Sequence, residues 1–247
     1  MFLACDIGNS RIKTGIFSGD NLINSLAFNN VEQVIDLYSD KDISFTGISS
    51  VVPERSARLL SSLDSKSFPF HLISSESKLN LRMKYRTPES LGSDRLCSAE
   101  GAYLMNGKMR ENEIIVTIDF GTATTINIVE YPGAFIGGVI APGINMMGEA
   151  LHSYTASLPE AEVSEFNDII GDSTKSSIAS GLLNSSLGLI NRVLDTLNRR
   201  YSSNTQKIFI TGGNAEMLIP FLDFNYTYEK NLVLYGIKAI TSLNSPV

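Results

Sequence analysis

A short apolar strand running into an acidic residue, one spacer and a glycine occurs twice in this chain, and that repetition narrows the available folds more than any other feature. The first copy is Asp6-Ile7-Gly8-Asn9, after Phe2-Leu3-Ala4-Cys5; the second is Asp119-Phe120-Gly121-Thr122, after Ile114 to Ile118. The two align without a gap. After each turn an alternating apolar pattern resumes, through Ile12, Thr14 and Ile16 and again from Thr125 to Val129. Each copy therefore reads as a strand, a glycine turn and a returning strand. The chain reads as a duplication cut near the charged break Glu111 to Glu113, with one domain over residues 1–112 and a second over residues 113–247.

The segments around the repeats alternate between helical and extended spacing. Asn29 to Leu37 and Pro53 to Leu63 have helical periodicity, the latter opened by proline, while Ile43 to Val51 and Phe70 to Ile73 read as strands. Tyr85 to Arg95 is rich in turn residues, which puts Asp94 and Arg95 on a loop ahead of a helix from Leu96 to Asn106. Free N–H groups at such a helix start favour an anion. In the second half, Phe135 to Ile140 reads as a strand, and Ile144 to Leu151 and Ser176 to Tyr201 read as helices. Lys207 to Thr211 is a strand stopped by Gly212-Gly213-Asn214, and Leu232 to Leu243 is a helical tail. Strands alternating with helices give an α/β class.

The chemistry of the repeats points to phosphate. A turn glycine lets backbone approach a phosphoryl group, and the hydroxyl or amide that follows can donate to its oxygens. The carboxylates of Asp6 and Asp119 cannot bind phosphate themselves; they suit a hard cation that meets the nucleotide's charge. Lys13 on the first returning strand can neutralise more of it. A third glycine turn, at Gly212-Gly213, offers a flat surface for a base or ribose. No Walker A pattern, GxGxxG, HExxH or GxSxG elbow is present, which removes P-loop, dinucleotide, zincin and hydrolase readings.

Composition excludes further classes. Over 247 residues the net charge is −6 and basic residues cluster only briefly, at Lys108/Arg110 and Arg199/Arg200, so a nucleic-acid surface is not expected. No apolar run approaches the roughly 18 to 20 residues of a membrane helix. Asp6 interrupts the amino terminus too early for a signal-peptide core, so the cytoplasm is expected. Cys5 and Cys97, without a CxxC, are expected to be reduced and structural. His71 and His152 have no acid or cysteine partner nearby in sequence and are not expected to be catalytic.

The motifs together resemble the type III pantothenate kinase family, within the acetate and sugar kinase, Hsp70 and actin superfamily. The family's first phosphate motif is matched by Asp6-Ile7-Gly8-Asn9-Ser10 with Lys13, and its second by Asp119-Phe120-Gly121-Thr122-Ala123-Thr124. Its G-x-D-R substrate motif is matched by Gly92-Ser93-Asp94-Arg95 with Tyr85 upstream. Ile170 to Thr174, Phe135 to Gly143 and Gly212 to Ala215 match further segments, in the family's order. One departure is Leu96, where many members carry an aromatic.

The resemblance implies two duplicated RNase H-like (actin-like ATPase) domains, each a mixed sheet flanked by helices, with the active-site cleft between them. It implies transfer of phosphate from ATP to the primary hydroxyl of pantothenate, with Asp94 as catalytic base. Tyr85, Gly92, Ser93, Asp94, Arg95 and Thr174 would bind pantothenate. Asp6, Ile7, Gly8, Asn9, Ser10, Arg11, Ile12, Lys13, Thr122, Gly212 and Gly213 would bind ATP with Mg2+, and Asp119 a monovalent cation, K+ or NH4+. A homodimer is implied as well. Two other readings remain open from the sequence: a kinase of the same fold acting on another small alcohol, and a nucleotide-binding regulator that has lost catalysis.

Overall fold

The computed structural model describes residues 1–39, 42–166, 168–201 and 206–245. The first half runs β1 (Phe2–Ile7), β2 (Ile12–Ser18), β3 (Asn21–Phe28), α1 (Val31–Ser39), β4 (Phe45–Ser50), α2 (Pro53–Ser65), β5 (Phe70–Leu72), β6 (Arg82–Met83) and α3 (Ser93–Asn106). The second runs β7 (Ile114–Phe120), β8 (Ala123–Glu130), β9 (Ala134–Pro142), α4 (Ile144–Ser153), α5 (Thr174–Tyr201), β10 (Gln206–Thr211), α6 (Ala215–Leu218), β11 (Thr227–Tyr228) and α7 (Leu232–Asn244).

One sheet has the order β3-β2-β1-β4-β5, the other β11-β10-β7-β8-β9-β6. Taken from its other end, the second sheet is β6-β9-β8-β7-β10-β11, which is the first order shifted by six strands with β6 added at an edge. The duplication seen in the phosphate turns thus extends to strand order. In the first sheet β1 is antiparallel to β2 and parallel to β4; in the second β7 is parallel to β10. Both sheets are mixed, and β1 and β7 are the strands that deliver Asp6 and Asp119. Parallel register sets Ser49 beside Asp6 and Thr211 beside Asp119, so each carboxylate has a hydroxyl on its parallel neighbour.

The pleat of β1 separates the two faces of the first sheet. Leu3, Cys5 and Ile7 pack with Val31 and Val34 of α1 and Leu59 and Leu63 of α2. Ala4 faces the other way, against Leu96 and Cys97 of α3 and Leu234 and Ile237 of α7. Asp6, one pleat beyond Ala4, therefore emerges on the α3 side. Both cysteines are free and fully buried, as expected. Burial pushes both thiols far up, with the charge of Asp6 adding to it in each case and that of Asp94 also at Cys97.

The chain divides into two compact units. One comprises Met1–Met109, Asn127–Gly137 and Asn231–Val247, the other Arg110–Ile126 and Gly138–Lys230. A single cut after residue 112 would assign α7 to the second unit; it joins the first because its apolar face completes the layer beside α3. Gly101 and Gly236 make that seam close: a Cβ on Gly236 would strike the carbonyl of Cys97, and one on Gly101 the carbonyl of Leu232.

Candidate active site

In the first unit, the β1–β2 turn is pinned from two sides. The Gly8 amide donates to the Arg11 carbonyl at 3.1 Å, and the Arg55 guanidinium of α2 donates to the Gly8 carbonyl at 3.0 Å. Asp6 is half-buried at the strand end, with Lys13 directly across in the antiparallel register. Asn9, Ser10 and Arg11 are exposed at the tip. A turn held this way presents backbone and hydroxyl donors with little freedom left to lose on binding an anion.

The Gly92 to Arg95 segment differs from the expected loop: α3 begins at Ser93, so Asp94 and Arg95 lie in its first turn. The reason is local. Gly92 serves as N-cap with its carbonyl accepting from the Leu96 amide at 3.2 Å, and the Ser93 hydroxyl turns inward to β4. That hydroxyl meets the Ser49 hydroxyl at 2.9 Å and accepts from the Ser50 amide at 3.0 Å, tying the helix start to the strand beside Asp6. Asp94 then folds back so that its Oδ1 accepts from the Arg95 amide at 2.8 Å. A Cβ on Gly92 would stand 2.5 Å from that same Oδ1, so only glycine leaves room for the carboxylate. Burial raises the Asp94 pKa above the usual carboxylate range, against the opposing pull of the Arg95 amide and charge. A carboxylate moved toward neutrality is a better proton acceptor near pH 7.

Arg95 points into the unit and is only 6% exposed. Its Nε donates to Asn127 Oδ1 at 2.7 Å, and its Cζ lies 5.9 Å from the centre of the Tyr85 ring. Tyr85 is in turn set edge-on against Phe135. Gly137, at φ +129°, adopts a backbone conformation that side-chain-bearing residues rarely take and passes close to the same ring. Arg95 Nη2 is buried and has no hydrogen-bond partner.

The second unit has its own converging turns. The Gly121 amide donates to the Ala123 carbonyl at 3.1 Å, closing the β7–β8 turn, and Asp119 is half-buried at its foot. The Gly143 amide at the start of α4 donates to the Thr122 carbonyl at 3.0 Å, and a Cβ on Gly143 would collide with that carbonyl. From the β10–α6 turn, the Asn214 amide reaches the Phe120 carbonyl at 2.9 Å. Gly212, at φ +107°, passes so near Phe120 that a Cβ would lie 2.5 Å from its backbone. Thr122 and Gly213 are exposed beside these contacts. The second phosphate-type turn and the third glycine turn are thus brought together. Thr174 lies apart from them, exposed at the first position of α5, on the wall of an open pocket of about 710 Å³ with Gly171, Asp172 and Ser173. Ser173 and Ser176 exchange amide-to-hydroxyl bonds at 3.0 and 3.2 Å, a reciprocal cap that fixes the helix start.

A family model described as type III pantothenate kinase matches residues 2–196. The chain belongs to that family. It is 32% identical to a type III pantothenate kinase of Flavobacterium johnsoniae over 241 residues, with 96% of each chain covered. A type III pantothenate kinase of Chlorobaculum tepidum is 30% identical, covering 99% of this chain and 94% of its own. Among solved structures, a Campylobacter jejuni protein described as a Baf family transcriptional activator matches at 22% identity and a TM-score of 0.64, with 98% of each chain covered. A polyphosphate/ATP-glucomannokinase from Arthrobacter shares the fold at 14% identity, a TM-score of 0.52 and 99% coverage of both chains. The two mixed, helix-flanked sheets are the expected actin-like architecture.

Three groups beside the type III kinase motifs escaped the sequence reading. Arg55 and the Ser49-Ser50 pair act through contacts that only the fold creates, and nothing in their local sequence marks them. Asn127 does carry a signal: it is a polar residue within the apolar run Ile126 to Val129 of β8, and it is fully buried. Among the described residues no group of three or more His, Cys, Asp or Glu side chains is placed to hold a metal, and no helix is long and apolar enough to cross a membrane.

Proposed function

We propose that this protein transfers a phosphoryl group from ATP to the primary hydroxyl of pantothenate, the first step of coenzyme A biosynthesis, with Asp94 as the base. The observation that carries the reading is the Asp94-Arg95 pair: a carboxylate raised toward neutrality by burial, next to a buried guanidinium with one unpaired nitrogen. The base needs only to orient the substrate hydroxyl and accept its proton, because the transition state is loose and positioning supplies most of the acceleration. Tyr85, Gly92, Ser93, Arg95 and Thr174 complete the pantothenate set. The Ser93 hydroxyl is committed to β4, so its backbone amide at the start of α3 is the group left for a ligand.

Asp6 to Lys13, Thr122, Gly212 and Gly213 are assigned to ATP with Mg2+, and Asp119 to a monovalent cation, K+ or NH4+. Half-buried carboxylates at the ends of β1 and β7 fit hard cations, which take oxygen ligands. When bound, such cations neutralise charge on the phosphates; the residues here anchor them, hold the turns and take the proton. We further assign a homodimer working in the cytoplasm. The test is a coupled assay with Mg-ATP and a panel of small alcohols, run in K+ and in Na+. Phosphorylation of pantothenate, faster in K+, is the expected result. Turnover of another alcohol with none of pantothenate would overturn the substrate, and equal rates in the two salts would overturn the role given to Asp119.

A further inference from the structure

Among the described residues, Asn127 is the one fully buried side-chain amide that touches the proposed alcohol-binding segment. Its Oδ1 accepts from Arg95 Nε at 2.7 Å, while its Nδ2 lies 3.4 Å from the Ser98 hydroxyl one turn along α3. The guanidinium can only donate, so it is the first contact that fixes the oxygen end of the amide toward Arg95. A fully buried amide costs free energy unless its hydrogen bonds recover the lost hydration, so the position is specified by its partners rather than by packing.

The guanidinium is flat, and two contacts define its plane. Nε is anchored within the plane by Asn127, and the Tyr85 ring stands near Cζ. With those set, the direction of Nη2 follows. Nη2 is buried without a partner, and an unsatisfied donor on a charged group is expensive unless an acceptor arrives with a ligand.

We propose that Asn127 is a positioning residue: it holds the Arg95 guanidinium at the angle from which Nη2 meets an oxygen, carboxylate or amide, of the bound alcohol substrate. Asn127 itself touches no substrate. The inference rests on the assignment of Gly92 to Arg95 to pantothenate, and the variants below separate the two.

Replacing the amide by an apolar side chain of similar size, Asn127→Leu, should raise KM for pantothenate by about ten- to a hundredfold, the range for losing alignment of a charged hydrogen bond, and leave KM for ATP unchanged. Asn127→Asp keeps an oxygen for Nε and should return KM for pantothenate close to that of the unaltered enzyme. The double variant Asn127→Leu with Arg95→Gln should be no worse than Arg95→Gln alone. A purely structural role predicts the reverse pattern: a lower melting temperature, both KM values raised, and a buried aspartate tolerated worse than leucine. That pattern would overturn the proposal. So would an unchanged KM for pantothenate in Asn127→Leu when Arg95→Gln raises it. If Arg95→Gln itself leaves that KM unchanged, the substrate assignment falls instead, and the proposal with it. Should the leucine variant fail to fold, Asn127→Ser, smaller and still polar, takes its place: a raised KM for pantothenate alone, restored in Asn127→Asp, supports the positioning role, and any other pattern overturns it.

Discussion

At the scale of single residues, Gly92 and Asp94 form one device. The glycine is there for space, since its φ of −57° is open to any residue and a Cβ would stand 2.5 Å from the Asp94 carboxylate. The obstructed atom ends a flexible side chain, so Gly92→Ala should barely change the melting temperature. Displacing the carboxylate by about 1 Å should nonetheless lower kcat by roughly a hundredfold. An alanine variant with full kcat would show that this placement of Asp94 is not the working one. Asp94→Asn should retain ATP binding and lose about a hundred- to ten-thousandfold in kcat, as expected for a positioned base. The same substitution has a stability signature. Burial raises the Asp94 pKa in the folded chain, so the stability linked to this group is full below the ordinary carboxylate range and is lost as pH rises through the raised value. Asparagine suffers no such loss. The melting-temperature difference, Asp94→Asn minus unaltered protein, should therefore be more positive at pH 8 than at pH 4; a difference independent of pH would refute the raised pKa. The motif residues were legible because a carboxylate, a glycine and a hydroxyl at fixed spacing imply a chemistry by themselves. Arg55 was not, and at Asn127 the sequence marks a polar residue between isoleucines but not its role, since their partners, Gly8 and Arg95, lie 47 and 32 positions away and only folding brings them together.

At the scale of elements, what the sequence reading missed follows from exposure and length. β3 shows little alternation to read because six of its eight residues are exposed, on an edge of the sheet. β6 and β11 span two residues each, too short for any periodicity. The start of α3 was placed three residues late because Pro88 and Gly92 look like loop punctuation, whereas Gly92 is the helix cap and Pro88 opens a separate turn from Pro88 to Ser90. The long, strongly patterned elements, β1, β7, α5 and α7, were read nearly to their ends. The α3–α7 seam shows what the pattern could not convey. Gly101 and Gly236 look like weak points in their helices, yet each removes a Cβ where two backbones touch. Gly236→Ala would press a methyl on the Cys97 carbonyl, and backbone cannot yield as a side chain can. The cost should be about 1–3 kcal/mol or more, a fall in melting temperature of several degrees for a chain of this size. Thermal denaturation measures it, and a melting temperature unchanged in Gly236→Ala would mean that the seam is looser than the geometry requires. Gly92→Ala and Gly236→Ala thus make a contrasting pair, the first costing activity and the second stability.

At the scale of the whole molecule, the duplication is regular in strand order and irregular in ownership. Both sheets follow one plan, but the first unit takes residues 127–137 and the last helix from the second half of the sequence. Residues 1–112 hold all five strands of the first sheet and the helices α1 and α2 on one face. On the other face, α3 is the one described helix they supply, with Ile73, Leu79, Met83 and Leu91 packed there as well. Ala4, Phe17, Leu96 and Cys97 are covered there by Val233, Leu234, Ile237 and Ile240 of α7, and all eight are buried in the intact chain. Without α7, that side would expose a contiguous apolar surface, and Gly47, where a Cβ would meet Thr241 and Ile237, would lose the helix it faces. Burying one large aliphatic side chain contributes about 1.5–3 kcal/mol, so the four from α7 together are comparable to the total stability of an ordinary domain. A fragment of residues 1–112 should therefore fail to melt cooperatively. The same fragment joined through a flexible linker to residues 231–245 should recover a cooperative transition, read by circular dichroism and by protection of the β1 and β4 amides from hydrogen exchange. A cooperative melt in the isolated fragment would show that the first half is self-sufficient. Failure of the linked form would show instead that residues 127–137, where Asn127 receives Arg95, are needed to complete it.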